Sequence, residues 1–462
     1  MRTVLIVFGL FALASCTREN LLESKDAILI TSADSLHFDT IFTQAGSITL
    51  HLVISNPNDQ RVKLSNISLA GGDNSFFRIN INGDPGPALQ NLDIRAGDSI
   101  HVFVNTRIPS QSNPLPFLVQ DSIRLDWNGN TKWVQLDVWG QQARFIRNGY
   151  ISQNQTWTRD IPYVLLGPLS IANGATLTLQ KGTRVYAHAD APILVDGSLR
   201  VNGGPDSADR VVFRGDRLDA PYRNFPASWP GILFREGSDH NRLDYAIISN
   251  AYQGIVTQVP GGPSPSLELN QCIIENAWDA GLQAVSSNIV LNNCLISNCG
   301  KNVQLVYGGT YLFNQCTIAA YNTIYFAHEE PAVWVTDAIT VDNNIYVAPL
   351  DAQFINCIVW GDGALVNNEL EAERKGEAPY SVIFENGLWR MKEVSSFITT
   401  INAITNEDPL FEKADSNPLQ ADFHLQAGSP AIGKGRSPTL PVDLDGKTRY
   451  QPAPDIGAYE RQ

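Results

Sequence analysis

Hydrophobic and polar residues alternate along several short segments in the first third of the chain. Turn-forming residues separate the segments, and Asn128-Gly129 joins the last two in a pair that tolerates the positive φ angles of a tight hairpin turn. The alternating segments are SLHFDTIF, SITLHLVIS, RVKLSNISL, FFRININ, SIHVFVNT and SIRLDWNGNTKWVQLDVWG. Such alternation predicts strands that each bury one face. We therefore expect residues 26–145 to form an antiparallel β-sandwich.

After about residue 146 the apolar runs become shorter. The runs are LSI, LTL, RVY, ILV and SLRV, and Gly or Asn interrupts them. Strands of three or four residues are too short and too regular for a sandwich. They suit a chain that winds in coils, with each coil adding short strands to separate parallel sheets. This winding region is predicted to span residues 146–410.

A repeat of 22 residues supports the winding, because LNQCIIENA, LNNCLISNC and FNQCTIAAY follow one another at that interval. The cysteine column reads Ala246, Cys272, Cys294, Cys316 and Cys357, and the column two positions later reads Ile248, Ile274, Ile296, Ile318 and Val359. Residues two apart on a strand face the same way, so both columns are predicted to point inward. The residues just before each cysteine, such as Asn293 and Gln315, are predicted to face mostly solvent. The longer first interval predicts a lengthened turn at 259–266.

Residues 22 apart become neighbours when parallel strands stack at about 4.8 Å. The pattern resembles that of right-handed parallel β-helix proteins. The resemblance implies small apolar residues stacked inside and asparagine side chains in hydrogen-bonded ladders at a turn. The cysteines are then predicted to be stacked free thiols, because parallel side chains would hold the sulfurs about one strand spacing apart instead of ~2 Å. Cys299, just past the asparagine turn, is predicted to be the most reachable of them.

The first sixteen residues, MRTVLIVFGLFALASC, contain an apolar run that is too short to remain as a membrane helix. The run predicts an export signal at 1–15. Its ending resembles a bacterial lipoprotein box, which implies that Cys16 is lipidated and becomes the mature N-terminus. A plain secretory signal ending in cysteine is the alternative. We expect 16–25 to form a polar tether and the acyl chains to hold the protein at the outer membrane, on a side that the sequence leaves open.

Two further segments resemble known bacterial modules. FDTIFTQAGSITLHLVISNPNDQRVKLSNISLAGGDNSFFRINING resembles the immunoglobulin-like modules of Bacteroidetes lipoproteins, which usually act as spacers or docking surfaces. The last segment, DFHLQAGSPAIGKGRSPTLPVDLDGKTRYQPAPDIGAYE, is similar to the C-terminal signature called choice-of-anchor Q. The motifs SPAI, DLDG and DIGAYE carry this similarity. Because a coil stack needs its open end covered, we expect residues 411–462 to form a C-terminal cap. The charged stretch 365–381 is expected to loop out.

Composition narrows the possible partners. The formal net charge is −14, so nucleic acid and anionic lipid surfaces are poor candidates. The cysteines form no CxxC pair and follow the spacing of the repeat, which argues against zinc. We expect no metal and no cofactor.

The repeat offers little for catalysis. A glycosidase needs two carboxyl groups about 5 to 9.5 Å apart, and the aligned columns contain no such stack, since Asp244 is followed by asparagines. A lyase acting on uronates needs a basic residue, and Lys301 is the only Lys or Arg between Leu243 and Glu373. His240 and His328 are predicted to be ordinary loop histidines.

One constellation suggests a binding site. Tyr252 and Trp278 occupy the same place in successive coils, with Gln253 and Asp279 beside them. Aromatic faces flanked by amides and acids suit a sugar. Alternatively, these rings cover the edge of the core or pack under the turn at 259–266.

Together the patterns predict an all-β envelope lipoprotein with an immunoglobulin-like β-sandwich, a right-handed parallel β-helix and a C-terminal cap. The expected role is non-catalytic binding or scaffolding, and the candidate partner is a polysaccharide. The alternatives are a polysaccharide lyase or glycoside hydrolase acting from the β-helix face, and a purely structural spacer.

Overall fold

The structure, a computed structural model, describes residues 20–43, 45–109, 116–258, 264–363, 365–393, 395–417, 420–437 and 440–462. The predicted signal segment and Cys16 lie outside these residues. The chain divides into two compact units, the first ending at Gln142 and the second beginning at Ala143. Strands dominate both units, with short 3₁₀ turns at Gly72–Asn74 and Tyr222–Asn224, which confirms the all-β prediction.

The first unit consists of two five-stranded sheets around one apolar core. Its strands are β1 (Ile30–Thr31), β2 (Ser35–Phe42), β3 (Leu50–Ser55), β4 (Val62–Leu69), β5 (Phe77–Ile81), β6 (Asp84–Pro85), β7 (Ala88–Ile94), β8 (Ser99–Thr106), β9 (Phe117–Trp127) and β10 (Asn130–Gln141). The sheets have the orders β1-β3-β8-β5-β6 and β2-β10-β9-β4-β7. Their pairs are antiparallel except for β2 with β10.

Two local predictions for this unit have different outcomes. The hairpin is confirmed, because Asn128 and Gly129 both have positive φ and β9 pairs with β10 from Trp127 and Asn130 onward. The predicted tether at 16–25 is wrong for its described end. Leu21 bridges Arg61, and the backbone amide of Leu22 donates to the Arg61 carbonyl at 2.9 Å, so the chain is already bound to the sheet there.

The second unit is a long succession of short parallel strands. They are β11 (Arg144–Ile151), β12 (Gln155–Trp157), β13 (Tyr163–Ile171), β14 (Thr176–Gln180), β15 (Arg184–Ala187), β16 (Ile193–Val195), β17 (Ser198–Asn202), β18 (Val211–Gly215), β19 (Ile232–Phe234), β20 (Asn241–Asp244), β21 (Ala246–Ser249), β22 (Ile255–Thr257), β23 (Leu267–Asn270), β24 (Ile273–Glu275), β25 (Ala280–Asn292), β26 (Leu295–Ser297), β27 (Lys301–Asn314), β28 (Thr317–Ala320), β29 (Val333–Thr336), β30 (Ala338–Val341), β31 (Asn344–Val347), β32 (Leu350–Ile355), β33 (Ile358–Gly361), β34 (Leu370–Glu373), β35 (Tyr380–Glu385), β36 (Leu388–Trp389), β37 (Thr399–Ile401), β38 (Ile404–Thr405), β39 (Phe411–Lys413) and β40 (Asp422–Leu425).

Except in the separate antiparallel pairs β30–β31 and β39–β40, each strand pairs with one a full coil away, so these strands form three faces that wind together in a β-helix-like arrangement. Face A holds β16, β19, β22, the first halves of β25 and β27, β29 and β34. Face B holds β14, β17, β20, β23, the second halves of β25 and β27, β32, β35 and β37. Face C holds β15, β18, β21, β24, β26, β28, β33, β36 and β38.

The predicted cysteine column is confirmed. The backbone amides of Leu295, Thr317 and Ile358 donate to the carbonyls of Cys272, Cys294 and Cys316, each at 2.9 Å, so one cysteine lies above the next. The cysteines of this column are free and fully buried. Cys299 is also buried, at 4% exposure, so the prediction that it can be reached is wrong.

Asparagine ladders follow the turns. Asn270, Asn292 and Asn314 donate in succession to the residue one coil earlier, and the chain of bonds ends on the carboxylate of Asp244. At the next turn, Asn276 donates to the amide oxygen of Asn250 at 2.8 Å. Asn250, Asn276 and Asn298 have φ values of 62°, 53° and 49°, a region that asparagine tolerates better than most residues. The asparagines therefore let the backbone turn and also join neighbouring coils.

The C-terminal segment, residues 411–462, does not lie where the predicted cap was expected. It packs along face C, where Phe411, Phe423 and Tyr459 share an apolar cluster with Leu295 and Ile358. Its contacts extend from Arg210, which donates to the Leu444 carbonyl at 2.7 Å, to Glu385, which pairs with Arg436 at 3.0 Å. The last face-B strand, Thr399–Ile401, stays exposed. The segment thus covers a flank of the stack instead of its open end.

The stretch 365–381 also differs from its prediction. It supplies β34, in which Leu370 is 1% exposed and pairs with Val333 in the parallel register of face A. Its charged residues had suggested a solvent-exposed loop, yet Glu369 is fully buried. In the described part of the chain, no helix is long and apolar enough to cross a membrane.

Candidate functional site

Tyr252 and Trp278 lie on the turn between faces C and A, in successive coils. The amide of Trp278 donates to the Ala251 carbonyl at 2.9 Å, and the amide of Asp279 donates to the Tyr252 carbonyl at 2.8 Å. The turns therefore align as the spacing indicated. Each of the two rings is 48% exposed, so neither is buried against the core edge.

Three more aromatic residues join these rings from segments outside the repeat. Phe326 meets Trp278 edge to face at 6.1 Å between ring centroids. Tyr325 meets Phe225 in the same manner at 5.6 Å. Edge-to-face pairs hold rings in a fixed orientation. We call Tyr252, Trp278, Phe225, Tyr325 and Phe326 the aromatic surface.

The asparagine turn positions the Phe225 side of this surface. Asn250 donates to the Arg223 carbonyl at 2.7 Å, and Asn276 donates to the Asn224 carbonyl at 2.9 Å. Both asparagines are buried, at 1% and 0% exposure. The loop that carries Phe225 is thereby fixed to two coils at once.

The Phe326 side is held by a buried pair. His328 Nε2 lies 2.9 Å from Glu369 Oε2, with side-chain exposures of 2% and 0%. The backbone amide of His328 also donates to Asn322 Oδ1 at 2.9 Å. His328 lies in a loop, as expected, and its ring is buried against Glu369. It fastens the loop 321–331, which carries Tyr325 and Phe326, to face A.

Polar groups border the rings. Gln253 Nε2 donates to Asp279 Oδ2 and to Gln283 Oε1, both at 2.8 Å. Lys301 Nζ lies 3.6 Å from Asp279 Oδ1, so the one carboxylate of this group has a cationic neighbour. The network presents amides and a balanced ion pair, which can exchange hydrogen bonds with hydroxyl groups.

Face A continues this polar border outward. Its register places Val256, Gln283, Gln304, Trp334 and Glu371 in one outward column of successive coils. Trp334 is half-buried and lies in this column one coil beyond Gln304. Trp360 lies on face C under the C-terminal segment, at 9% exposure, and is not part of it.

The sequence reasoning identified Tyr252, Gln253, Trp278 and Asp279, which the structure brings together. It missed Phe225, Tyr325 and Phe326, because these residues come from loops that follow no repeat. The adjacent aromatic pair in TIYFAH was the available signal. Within the described residues, no group of three His, Cys, Asp or Glu side chains is placed to hold a metal ion.

Comparisons with known proteins identify no family for this chain. No family model matches the sequence. No curated protein matches it either. Among solved structures, a family 123 glycoside hydrolase from Clostridium perfringens matches with 11% identity and a TM-score of 0.20, over 28% of this chain and 30% of that chain.

Two other solved structures match with similarly low identities and TM-scores. A protein of unknown function from Porphyromonas gingivalis W83 matches with 11% identity and a TM-score of 0.18, over 27% of this chain and 59% of that chain. The CooA pilin subunit of enterotoxigenic Escherichia coli matches with 9% identity and a TM-score of 0.17, over 25% of this chain and 96% of that chain. The chain thus spans less than two thirds of the first two structures it matches.

Proposed function

We propose that this protein is an envelope lipoprotein, anchored by lipid on Cys16 at the outer membrane, that binds a neutral polysaccharide without cleaving it. In this proposal the first unit is an immunoglobulin-like spacer, the second a right-handed parallel β-helix, and residues 411–462 a choice-of-anchor Q segment. The observation that carries the binding role is the aromatic surface, with half-exposed rings beside the Gln253–Asp279–Lys301 network.

The chemistry of this surface favours an uncharged sugar chain. Aromatic rings pack against the C–H faces of pyranoses, and amides exchange hydrogen bonds with their hydroxyl groups. The ammonium of Lys301 is paired with Asp279, so this network presents no unpaired cation to an anionic sugar. The formal net charge of −14 also opposes an anionic polymer.

The same network argues against cleavage at this surface. Hydrolysis of a glycosidic bond needs two carboxyl groups about 5 to 9.5 Å apart, one protonated and one ionised. Asp279 is engaged by Lys301 and Gln253, and its neighbours Gln253 and Gln283 are amides. Binding without reaction therefore fits the side chains better than hydrolysis does.

Retention on a panel of immobilised neutral and acidic glycans tests the proposal. We expect the wild type to bind a neutral glycan, and Trp278→Ala to bind it about tenfold or more weakly, because a central ring is lost. Trp133→Ala is the matched control, since Trp133 is 44% exposed and lies in the first unit. The proposal fails if wild type binds no glycan, if it prefers acidic ones, or if both variants bind equally well.

Two further measurements separate the alternatives. The viscosity of a bound polymer should stay constant during incubation, and a fall would favour the enzyme. Incorporation of radiolabelled palmitate by growing cells should be lost in Cys16→Ser. Labelling that persists in this variant would contradict the lipid anchor while leaving glycan binding untouched.

A further inference from the structure

A second concave site lies between face C and the C-terminal segment, and we propose that it binds one hydroxyl-rich sugar unit that carries no negative charge. The cleft measures about 410 Å³ and is lined by Tyr321, Trp360, Asp362, Arg390, Asp408 and Phe411, among others. Small-molecule sites usually measure about 300 to 1,000 Å³, so one sugar unit is a suitable occupant. The proposal does not depend on the aromatic surface.

The fold creates this cleft where β33 ends. Face C brings Trp360 outward, and Gly361 and Asp362 follow it. Asp408, just before the C-terminal segment, and Phe411, at its start, line the other side. Gly361 lies directly over the buried His328–Glu369 pair. A Cβ at this glycine would stand 2.3 Å from Glu369 Oε1 and 2.7 Å from His328 Nε2, so only a glycine allows so close an approach.

The polar groups of the cleft are oriented in advance. The carboxylate of Asp362 accepts hydrogen bonds from the amide and the side chain of Asn322, the first at 2.9 Å. Asp408 Oδ1 accepts from the Leu410 amide at 2.8 Å. A carboxylate has about four acceptor positions, so Asp408, whose Oδ1 accepts one backbone hydrogen bond, keeps capacity for a ligand hydroxyl.

Arg390 supplies the donor side of the cleft. Its Nη1 is a buried atom that lies 4.0 Å from Glu369 Oε1, with no acceptor among the described residues within hydrogen-bond distance, so Nη1 is not the atom that meets a ligand. Its Nη2 is 3.4 Å from the Gly363 carbonyl, a long hydrogen bond. The Arg390 side chain as a whole is 31% exposed and also borders a neighbouring cavity of about 370 Å³.

Charge in the cleft decides the class of ligand. Burial raises the pKa of the Tyr321 phenol, and Asp408, Asp362 and Glu369 raise this pKa further, while Arg390 opposes them. The negative groups therefore outweigh the positive one around this hydroxyl, and Tyr321 remains a donor. Uronates, phosphates and sulfates are repelled, whereas a neutral sugar or an amino sugar can donate to the carboxylate of Asp408.

The apolar wall favours a sugar over a simple amine. Trp360, Phe411 and Tyr321 present ring surface next to the carboxylates, which suits a ligand with one C–H face and several hydroxyl groups. Asp408 is exposed, so its substitution should leave the fold intact.

Calorimetric titration of the full chain with D-galactose, D-glucosamine and D-galacturonate tests this proposal. We expect galactose or glucosamine to bind with a Kd of about 1 to 10 mM, as for a ligand with few contacts. Galacturonate should not bind. Asp408→Asn should weaken the binding about tenfold, and Glu412→Gln, which changes an exposed neighbouring carboxylate, should not.

Several results would overturn the proposal. They are the absence of binding by all three sugars, a preference for galacturonate, and equal binding by wild type and Asp408→Asn. Trp278→Ala should bind the single sugars as the wild type does, since the cleft and the aromatic surface share no residue. Loss of binding in Trp278→Ala would show that the single sugars bind to the aromatic surface, and it would contradict the proposed site in the cleft.

Discussion

The two flanks of the coil stack differ in whether another segment covers their turns. On the flank that begins face C, the amides Asn293, Gln315 and Asn356 are fully buried because the C-terminal segment covers them. On the flank between faces C and A, Tyr252 and Trp278 remain about half exposed. Repeated polar turns alone thus do not indicate a binding surface.

The covered flank shows the structural role of the sequence motifs in the C-terminal segment. Arg449, from the DGKTR stretch, bonds Glu460 at 3.1 Å and Asn293 at 2.8 Å, and both charged side chains are fully buried. The carboxylate of Asp443 accepts from the backbone amides of Lys447 and Glu460. These residues satisfy one another and the coil amides, so their role in this fold is architectural.

Replacing Arg449 should destabilise the covered flank more than any other substitution proposed here. We expect Arg449→Met to lower the free energy of unfolding by about 3 to 5 kcal/mol, because Glu460 is left as an uncompensated buried charge. Urea denaturation measures this loss. Arg461→Met, at an exposed arginine next to the pair, should change it by less than about 0.5 kcal/mol. A small loss in Arg449→Met would show that the covered flank needs no ion pair.

Asn293→Ala should have the next largest effect. The variant loses the bond to the Val442 carbonyl at 2.8 Å and leaves Arg449 without one acceptor, which should cost about 1 to 3 kcal/mol. Asn344→Ala, in the exposed β30–β31 hairpin, is the control in the same denaturation experiment. Equal stability of the two variants would contradict the docking role of Asn293.

Glu275→Gln should reveal a pH-dependent contribution from face C. Burial raises the pKa of Glu275 to about 7, with Arg214 opposing. The folded state therefore keeps a proton that the unfolded chain releases near its ordinary value of 4.5, so stability falls as pH rises from about 4.5 to about 7.

Glu275→Gln should remove this loss of stability with rising pH. At pH 8 it should be more stable than wild type by about 1 to 2 kcal/mol, a figure reduced for partial exposure, and at pH 4 the two should agree. Thermal unfolding at several pH values measures the difference, with Glu329→Gln, an exposed site, as the control. A constant difference across the pH range would contradict the raised pKa.

The open flank should tolerate change. Tyr252→Ala removes a half-exposed ring, so we expect the free energy of unfolding to shift by no more than about 0.5 kcal/mol while glycan retention falls. A large loss of stability would mean that the ring serves the core and not a ligand.

The sequence predicted the regular part of this molecule well and its irregular part poorly. The 22-residue spacing of Cys272, Cys294 and Cys316 placed them correctly in one column, because a stack of parallel strands converts sequence period into spatial contact. Asn293 and Gln315 were expected to face solvent because alternation tells inside from outside but does not reveal a later segment that covers the outside.

The candidate site shows the same limit. Tyr252 and Trp278 follow the repeat and were found, whereas Phe326 reaches Trp278 from a loop that the buried His328–Glu369 pair helps to hold in place. His328 and Glu369 are 41 residues apart, and no periodic pattern joins them. Contacts of this type depend on loop conformation, which local patterning does not encode.

The long reach of the C-terminal segment also sets the height of the stack. Its two outermost polar contacts, Leu444 with Arg210 and Arg436 with Glu385, bind coils far apart in the winding. Adding or deleting a coil between them would displace one contact by about 4.8 Å. The length of this segment therefore fixes the number of coils that it can span. The repeats specify the same number independently.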